Sequence, residues 1–262
     1  MTEKTIGAIA NSMLHNPPLE RDATCEKHGA YIAKCYLGNH YRGCTKCEDE
    51  RRQEQERKEK EEAELEAQHR WKMRLRAAQI PERFKERTLT NFEVHCDGQQ
   101  DALDFAKDFA REFNGGHSGR CAIFLGERGT GKTHLACGIA HYVTKIGQTA
   151  MFTTVSKMVR RIREAKSFDS EETESQAIEI YTYPHLLILD EIGLQSGTDA
   201  EARSLFDVLN DRYEQRLPTI LLSNLDLAGI EHAIGPRLFD RLREDGCQYR
   251  VFDWPSARGN LA

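Results

Sequence analysis

GERGTGKT, Gly126 to Thr133, is the stretch on which the fold turns. It fits the pattern G-x-x-x-x-G-K-[ST] in full, the glycine-rich loop that cradles phosphates between a strand and a helix. CAIFLG, which runs into it from Cys121, is a short apolar run suited to a buried strand. HLACGIAHYV, which follows it, places Leu135, Ile139 and Val143 at helical spacing. Gly126, Gly129 and Gly131, with Thr130 among them, let the backbone curl so that successive N–H groups face phosphate oxygens. The helix N-terminus adds partial positive charge at the same place. Lys132 supplies a compact cation between the β and γ phosphates, and the Thr133 hydroxyl is a magnesium ligand.

About 55 residues on, HLLILDEIG sets four apolar residues before Asp190 and Glu191, so a buried strand delivers two carboxylates at its C-terminal end, where open α/β sheets bind ligands. Asp190 is placed to hold Mg²⁺, and Glu191 to take the proton of an attacking water. Standing alone, such a pair could equally cap a helix. TILLSNLD is another buried strand, ending in Ser223 and Asn224. Asn224 could bond the attacking water or the γ phosphate, or simply make a turn. In GPRLFDRLRE, Arg237 and Arg241 lie four residues apart on one helical face with Asp240 beside them. They read either as a solvated face or as arginines that reach a neighbouring subunit's nucleotide.

The remaining strand and helix signals alternate. TAMFTTV, SKMVRRIREA, EARSLFDVLNDRYEQR and YRVFDW interleave with the runs above, and ALDFAKDFAREF, from Ala102, carries one apolar helical face. Short apolar strands alternating with helices predict an α/β fold, a parallel sheet flanked by helices. Pro81 marks where this unit begins. Before it, residues 48–79 are almost all helix formers with interleaved charges and no Gly or Pro, which predicts a solvated linker helix. Its apolar end, Trp71 to Leu75, is an alternative partner-docking surface. The expected organisation is a small domain over 1–47, a charged helical linker over 48–79 and an ATPase domain over 80–262.

The chain has 8 cysteines, and four of them crowd into the first domain. Cys25 and His28 of CEKH are followed after 15 residues by Cys44 and Cys47 of CTKC. Two close pairs separated by a loop give the spacing of a closed, structural Zn²⁺ site. Cys35 and His40 are alternative ligands. The segment reads as a loop-built module with too little apolar material to fold without such a staple.

With 262 residues, 39% hydrophobic and 30% charged, the chain can build a real core while concentrating polarity elsewhere. No apolar run reaches the length of a membrane span, and the start lacks an export signal, so a cytoplasmic protein with no membrane role is expected. The net charge of -5, from 37 basic and 42 acidic residues, excludes a wholly basic nucleic-acid coat. A local basic feature survives within that average: Lys157, Arg160, Arg161 and Arg163, with Lys166 beyond, crowd one helix. It reads as a solvated face or as a groove for a phosphate backbone.

GERGTGKT, LLILDEIG, LLSNLD, GPRLFDRLRE and the terminal VFDWPSAR resemble, in order and spacing, the DnaC/DnaI type of bacterial replicative helicase loader. This is an AAA+ ATPase family that also includes the IstB-like transposition ATPases. The resemblance covers about Ile80 to Arg258 and looks like the phage or prophage variant with an N-terminal zinc module. It implies the AAA+ P-loop fold, ATP as ligand, Lys132 and Thr133 as Walker A, Asp190 and Glu191 as Walker B, and Asn224 as sensor 1. It further implies Arg241, or else Arg237, as a trans-acting arginine finger, with no room for a helical lid and only Arg258 near a sensor 2 position. The helix around Lys157 to Arg163 resembles the insertion that lines a single-stranded DNA path. The implied partners are a hexameric replicative helicase, single-stranded DNA and further copies of the chain. An IstB-like transposition ATPase is the close alternative, and a non-hydrolysing, ATP-switched zinc adaptor the distant one.

Overall fold

The computed structural model describes residues 18–36, 40–117, 119–167, 169–193 and 199–257. The chain divides into two compact units, Met1–Gln68 and His69–Ala262.

In the first unit β1 (Leu19–Cys25) and β2 (Gly29–Cys35) pair antiparallel, from Leu19 opposite Cys35 to Cys25 opposite Gly29. The sequence predicts loops here, because LERDATC lacks the apolar alternation of a half-buried strand. The hairpin forms through backbone pairing, with Gly29 taking the positive φ of 78° that closes its turn. Among the described residues of this unit, only Ala33, Cys35 and Cys44 are buried hydrophobics. Helix α1 (Thr45–Ala77) follows, with no buried residue over its length. It is stitched by intrahelical pairs such as Arg52–Asp49 at 2.7 Å, Arg57–Glu54 at 2.8 Å and Arg57–Glu61 at 3.0 Å. The division between the units falls inside this helix.

The end of α1 belongs to the second unit. Leu75 packs against its core, where Ala78 and Ile80 are buried, and Arg74 Nε donates to the Thr144 carbonyl at 3.0 Å. Of the apolar end that could be a partner surface, Leu75 is thus used within the chain, while Met73 is exposed. After a 3₁₀ turn at Glu82–Phe84, the elements are α2 (Asp97–Arg111), β3 (Ala122–Gly126), α3 (Lys132–Lys145), β4 (Ala150–Thr154), α4 (Val155–Ala165) and α5 (Glu174–Thr182). They continue with β5 (Leu186–Ile192), α6 (Asp199–Glu214), β6 (Thr219–Ser223), α7 (Leu227–Ile234), α8 (Pro236–Glu244) and β7 (Gln248–Phe252).

The five strands of the second unit form one sheet in the order β4-β5-β6-β3-β7, parallel throughout. Neighbouring residues in each strand point to opposite faces. Phe124, Ile188 and Leu222 join the core under α2 and α3, while Ile123, Leu189 and Leu221 join the core under α4 to α8. Both faces are covered over β3, β4, β5 and β6, and this is why those strands read as continuous apolar runs, whereas the edge strand β7 leaves Tyr249 and Val251 exposed. The strand order places β6 between β3 and β5, so the ends of these three strands meet. No helix among the described residues is long and apolar enough to cross a membrane.

Candidate functional site

The loop after β3 opens a cleft of about 590 Å³, lined by Arg128, Gly129, Gly131, Lys132, Thr133, Asp190, Glu191 and Asn224, with Arg83, Phe84, Arg87, His134 and Ala257 completing it. Glycine is obligatory at two loop positions. A Cβ on Gly126 would lie 2.2 Å from the Phe252 carbonyl oxygen, and one on Gly131 2.7 Å from the Phe92 ring, at φ of 138° and 102°. Gly131 then serves as N-cap of α3, whose first N–H groups face the cleft.

Lys132, 7% exposed, folds over the loop. Its ammonium donates to the carbonyls of Gly126 and Glu127 and, at 3.1 Å, to Asn224 Oδ1 at the end of β6. Thr133 Oγ1 donates to Asp190 Oδ2 at 3.2 Å. Burial pushes the Asp190 carboxyl above its ordinary value, opposed by the Glu191 N–H and the Thr133 hydroxyl. A buried hard-oxygen pair with an upward-shifted carboxyl suits a divalent cation, whose charge would offset the desolvation. Phosphate-facing N–H groups, a cation and strand-end carboxylates thus converge from three adjacent strands. Thr130 is buried, and its hydroxyl bonds the Glu127 carbonyl at 2.8 Å, inside the loop.

Several residues of the cleft carried no motif signal. Arg83 and Arg87 arrive from the lead-in before α2, and His134 Nε2 lies 3.0 Å from both the Thr88 carbonyl and Asn91 Oδ1, fastening that lead-in to α3. From the other end of the unit, Trp254 Nε1 donates to the Thr130 carbonyl at 2.8 Å, and the Ala257 N–H to the Gly129 carbonyl at 3.0 Å. The only sequence hint was WPSA itself.

In the first unit, one ligand atom each from Cys25, His28, Cys44 and Cys47 gather within 4.8 Å of one another. Cys25 Sγ lies 3.4 Å from Cys47 Sγ, and His28 Nδ1 lies 3.2 Å from Cys47 Sγ and 3.7 Å from Cys44 Sγ. A tetrahedral zinc with sulfur at about 2.3 Å and nitrogen at about 2.0 Å spaces its ligands roughly 3.5 to 3.8 Å apart, so the set fits the ion. The hairpin turn brings the first pair and the start of α1 the second. Backbone N–H groups of His28 and Lys27 pull the Cys25 thiol down to about 6, favouring the thiolate a metal needs, while Cys47, sharing its proton with Cys25, is pushed up to about 11. His28 Nε2 meets Glu50 Oε1 at 3.0 Å, the outer carboxylate that fixes the ring so that Nδ1 faces the cluster. Glu50, one helical turn after Cys47, was missed. Neither Cys35 nor His40 belongs to the group; Cys35 pairs with Leu19 at the far end of the hairpin, roughly 20 Å from the turn.

The family model of IstB-like ATP-binding proteins matches residues 53–241. The replicative helicase loader DnaC of Buchnera aphidicola subsp. Schizaphis graminum is 32% identical over 179 residues, 68% of this chain and 72% of that protein. The chain belongs to the IstB/DnaC family of AAA+ ATPases. Within that family, the DnaC of Escherichia coli (strain K12) is 29% identical over 174 residues, 66% of this chain and 70% of that protein. A crystal structure of the DnaC helicase loader matches with a TM-score of 0.58 at 20% identity, covering 65% of this chain and 99% of that one. A crystal structure of DnaI matches at 0.57 and 21%, covering 69% and 95%. The AAA+ fold is shared with both.

Other predicted residues of this IstB/DnaC-family ATPase lie outside the cleft. Arg237 is exposed on α8; Arg241 is half-buried there, its guanidinium donating to Asn210 Oδ1 of α6 and lying 5.4 Å from the Tyr213 ring centre. Neither lines the cleft of its own chain. On α4, Val155, Met158, Val159 and Ile162 are buried, leaving Lys157, Arg160 and Arg163 on the exposed face. Arg161 is held by Glu172 through two hydrogen bonds, of 2.8 and 3.0 Å. Arg258 lies outside the described residues.

Proposed function

We propose that this chain is an ATP-hydrolysing replicative helicase loader. The supporting observation is the convergence of Lys132, Thr133, Asp190 and Asn224 in one cleft of a chain whose curated relatives are named for helicase loading. ATP enters with its phosphates on the loop N–H groups and Lys132. Thr133 and Asp190 hold Mg²⁺, which when bound neutralises phosphate charge. Glu191 takes the proton of the attacking water, whose oxygen bonds to the γ phosphorus as the bond to the bridging oxygen of ADP breaks. Asn224 orients the water or the γ phosphate. Neither Arg241 nor Arg237 lines its own cleft, so either would act on a neighbouring copy, Arg241 after leaving Asn210, where an arginine finger would accelerate hydrolysis about 10³-fold or more.

The zinc held by Cys25, His28, Cys44 and Cys47 supplies folding free energy to the region over 1–47, which with the helix over 48–79 grips the helicase. The ATPase region over 80–262 self-associates and engages single-stranded DNA through Lys157, Arg160, Arg161 and Arg163. Purified with a tagged copy of this chain, a hexameric replicative helicase is the expected companion; recovery of a transposase in its place favours the IstB-like alternative. Lys132→Ala and Glu191→Gln should each abolish ATP turnover. A parent protein that binds ATP without turning it over would overturn the enzyme reading in favour of the adaptor.

A further inference from the structure

Strands β5 and β6 pair as Leu187 with Thr219, Ile188 with Ile220 and Leu189 with Leu221, but the next pair is Ile192 with Ser223. Two residues of β5, Asp190 and Glu191, therefore stand against the single residue Leu222. This is a β-bulge, a device that re-aims a side chain at the end of a strand. Its second residue, Glu191, has φ of 65°, in the left-handed region that a non-glycine side chain occupies only when its surroundings impose it.

Three contacts impose it. The Glu191 N–H donates to Asp190 Oδ1 at 2.8 Å. Gly193, at φ of 88°, is backed so closely by Leu225 that a Cβ there would lie 2.2 Å from Leu225 Cδ1. The third is Ser223, 2% exposed, whose hydroxyl donates to the Ile192 carbonyl at 2.7 Å and accepts the Leu225 N–H at 3.0 Å. One buried hydroxyl thereby joins the residue after Glu191 to the residue after Asn224. It fixes the bulge on one strand and the turn on the next at the same time.

We propose that Ser223 is a positioning residue for ATP hydrolysis: its bridge holds Glu191 and Asn224 at a set spacing across the γ-phosphate position. This rests on the assignment of Glu191 as the base. The hydroxyl touches none of the phosphate-binding loop, so it should govern turnover and leave nucleotide affinity alone. Neither strand needs it for burial, since Leu221, Leu222 and Ile192 are buried without it. Alanine at 223 removes the bridge and strands a buried carbonyl and a half-buried N–H, which the bulge can satisfy only by relaxing.

The test uses the full chain with ATP and Mg²⁺, measuring single-turnover hydrolysis and the binding of a fluorescent ATP analogue. Ser223→Ala should lower the hydrolysis rate 10- to 100-fold with nucleotide Kd changed less than twofold, and Ser223→Thr, which keeps the hydroxyl, should restore most of the rate. In a Glu191→Gln background, Ser223→Ala should lower the residual rate by a much smaller factor than in the parent, because only the placement of Asn224 is left to lose. A parental rate in Ser223→Ala, a matching loss of affinity, or the same fold-loss in the Glu191→Gln background would each overturn the proposal. Parental turnover by Glu191→Gln alone would instead overturn the assignment of the base. If the alanine variant does not fold, Ser223→Cys, which keeps the volume and weakens both bonds, carries the same comparisons.

Discussion

In the nucleotide cleft, the phosphate loop leaves a strand whose residues Ala122 to Leu125 are all buried, and its glycines are pressed by Phe252 and Phe92. At the Cys/His cluster, four ligand atoms meet at the tip of a hairpin and the start of a helix, with three buried hydrophobic residues among those described. The cleft exists because a large core has already fixed where its strands end. In the cluster the order is reversed, for there is little besides the ligands to hold the turn against the helix. A binding site can be the product of a fold, as the cleft is; with a metal bound, the cluster would be the cause of one.

The largest expected effect breaks the second case. Zinc removal by a strong chelator, or Cys44→Ser, should forfeit on the order of 10 kcal/mol of binding free energy and unfold the N-terminal unit. Limited proteolysis with metal analysis should show cleavage around Leu19 to Cys47 while a fragment retaining ATP binding persists; an intact hairpin in the zinc-free protein would erase the contrast.

The counterpart lies in the larger unit. Arg212 is fully buried with no carboxylate partner among the described residues, its guanidinium donating to the carbonyls of Tyr181, Pro184 and Pro218 and to Thr219 Oγ1, and burial pulls it down to about 9. Arg212→Met would leave these acceptors unmet and should cost about 3–5 kcal/mol in chemical denaturation, yet leave the unit folded. Next comes Trp254→Phe, which keeps the ring in the core and deletes the bond to Thr130. ATP affinity should fall about fivefold, near 1 kcal/mol, by titration with a fluorescent analogue.

The smallest effect is a pH dependence confined to the second unit. Desolvation lowers the pKa of His117, His134 and His141 from 6.5. The unfolded chain therefore binds more protons, so stability is full above 6.5 and declines as pH falls below it toward the lowered values. Thermal melts of the zinc-loaded protein from pH 8 to 5 should show a falling Tm for this unit.

What could be read from residues alone follows the same division. GERGTGKT, HLLILDEIG and TILLSN announce strands and chemistry together, since strands covered on both faces must be continuously apolar and their ends carry the reacting groups. The CxxH and CxxC pairs were equally plain, because metal geometry needs only spacing. The hairpin that presents Cys25 and His28 was hidden, as a strand held by backbone bonds leaves no apolar alternation in LERDATC. Arg83, Arg87 and His134 were hidden for another reason. They enter the cleft through tertiary approach, and nothing local marks an arginine that will line it. The docking of Leu75 on the core was likewise beyond periodicity, since a few apolar residues at a helix end suit a partner as well as a home domain.

The strand order also has a consequence in time. β3 is the first strand of the large sheet to be synthesised, yet it lies between β6 and β7, the last two. Gly126 and the Phe252 carbonyl that backs it are separated by 126 residues, which at translation rates of about 5–20 residues per second is a delay on the order of ten seconds. For most of that interval, until β6 is made, the strand bearing the phosphate loop has neither neighbour and exposes two unpaired edges, a hazard for pairing with other chains. The ATP cleft is thus completed by residues made well after its loop, so a chain translated only as far as Gly246 would hold most of its core and no finished nucleotide site.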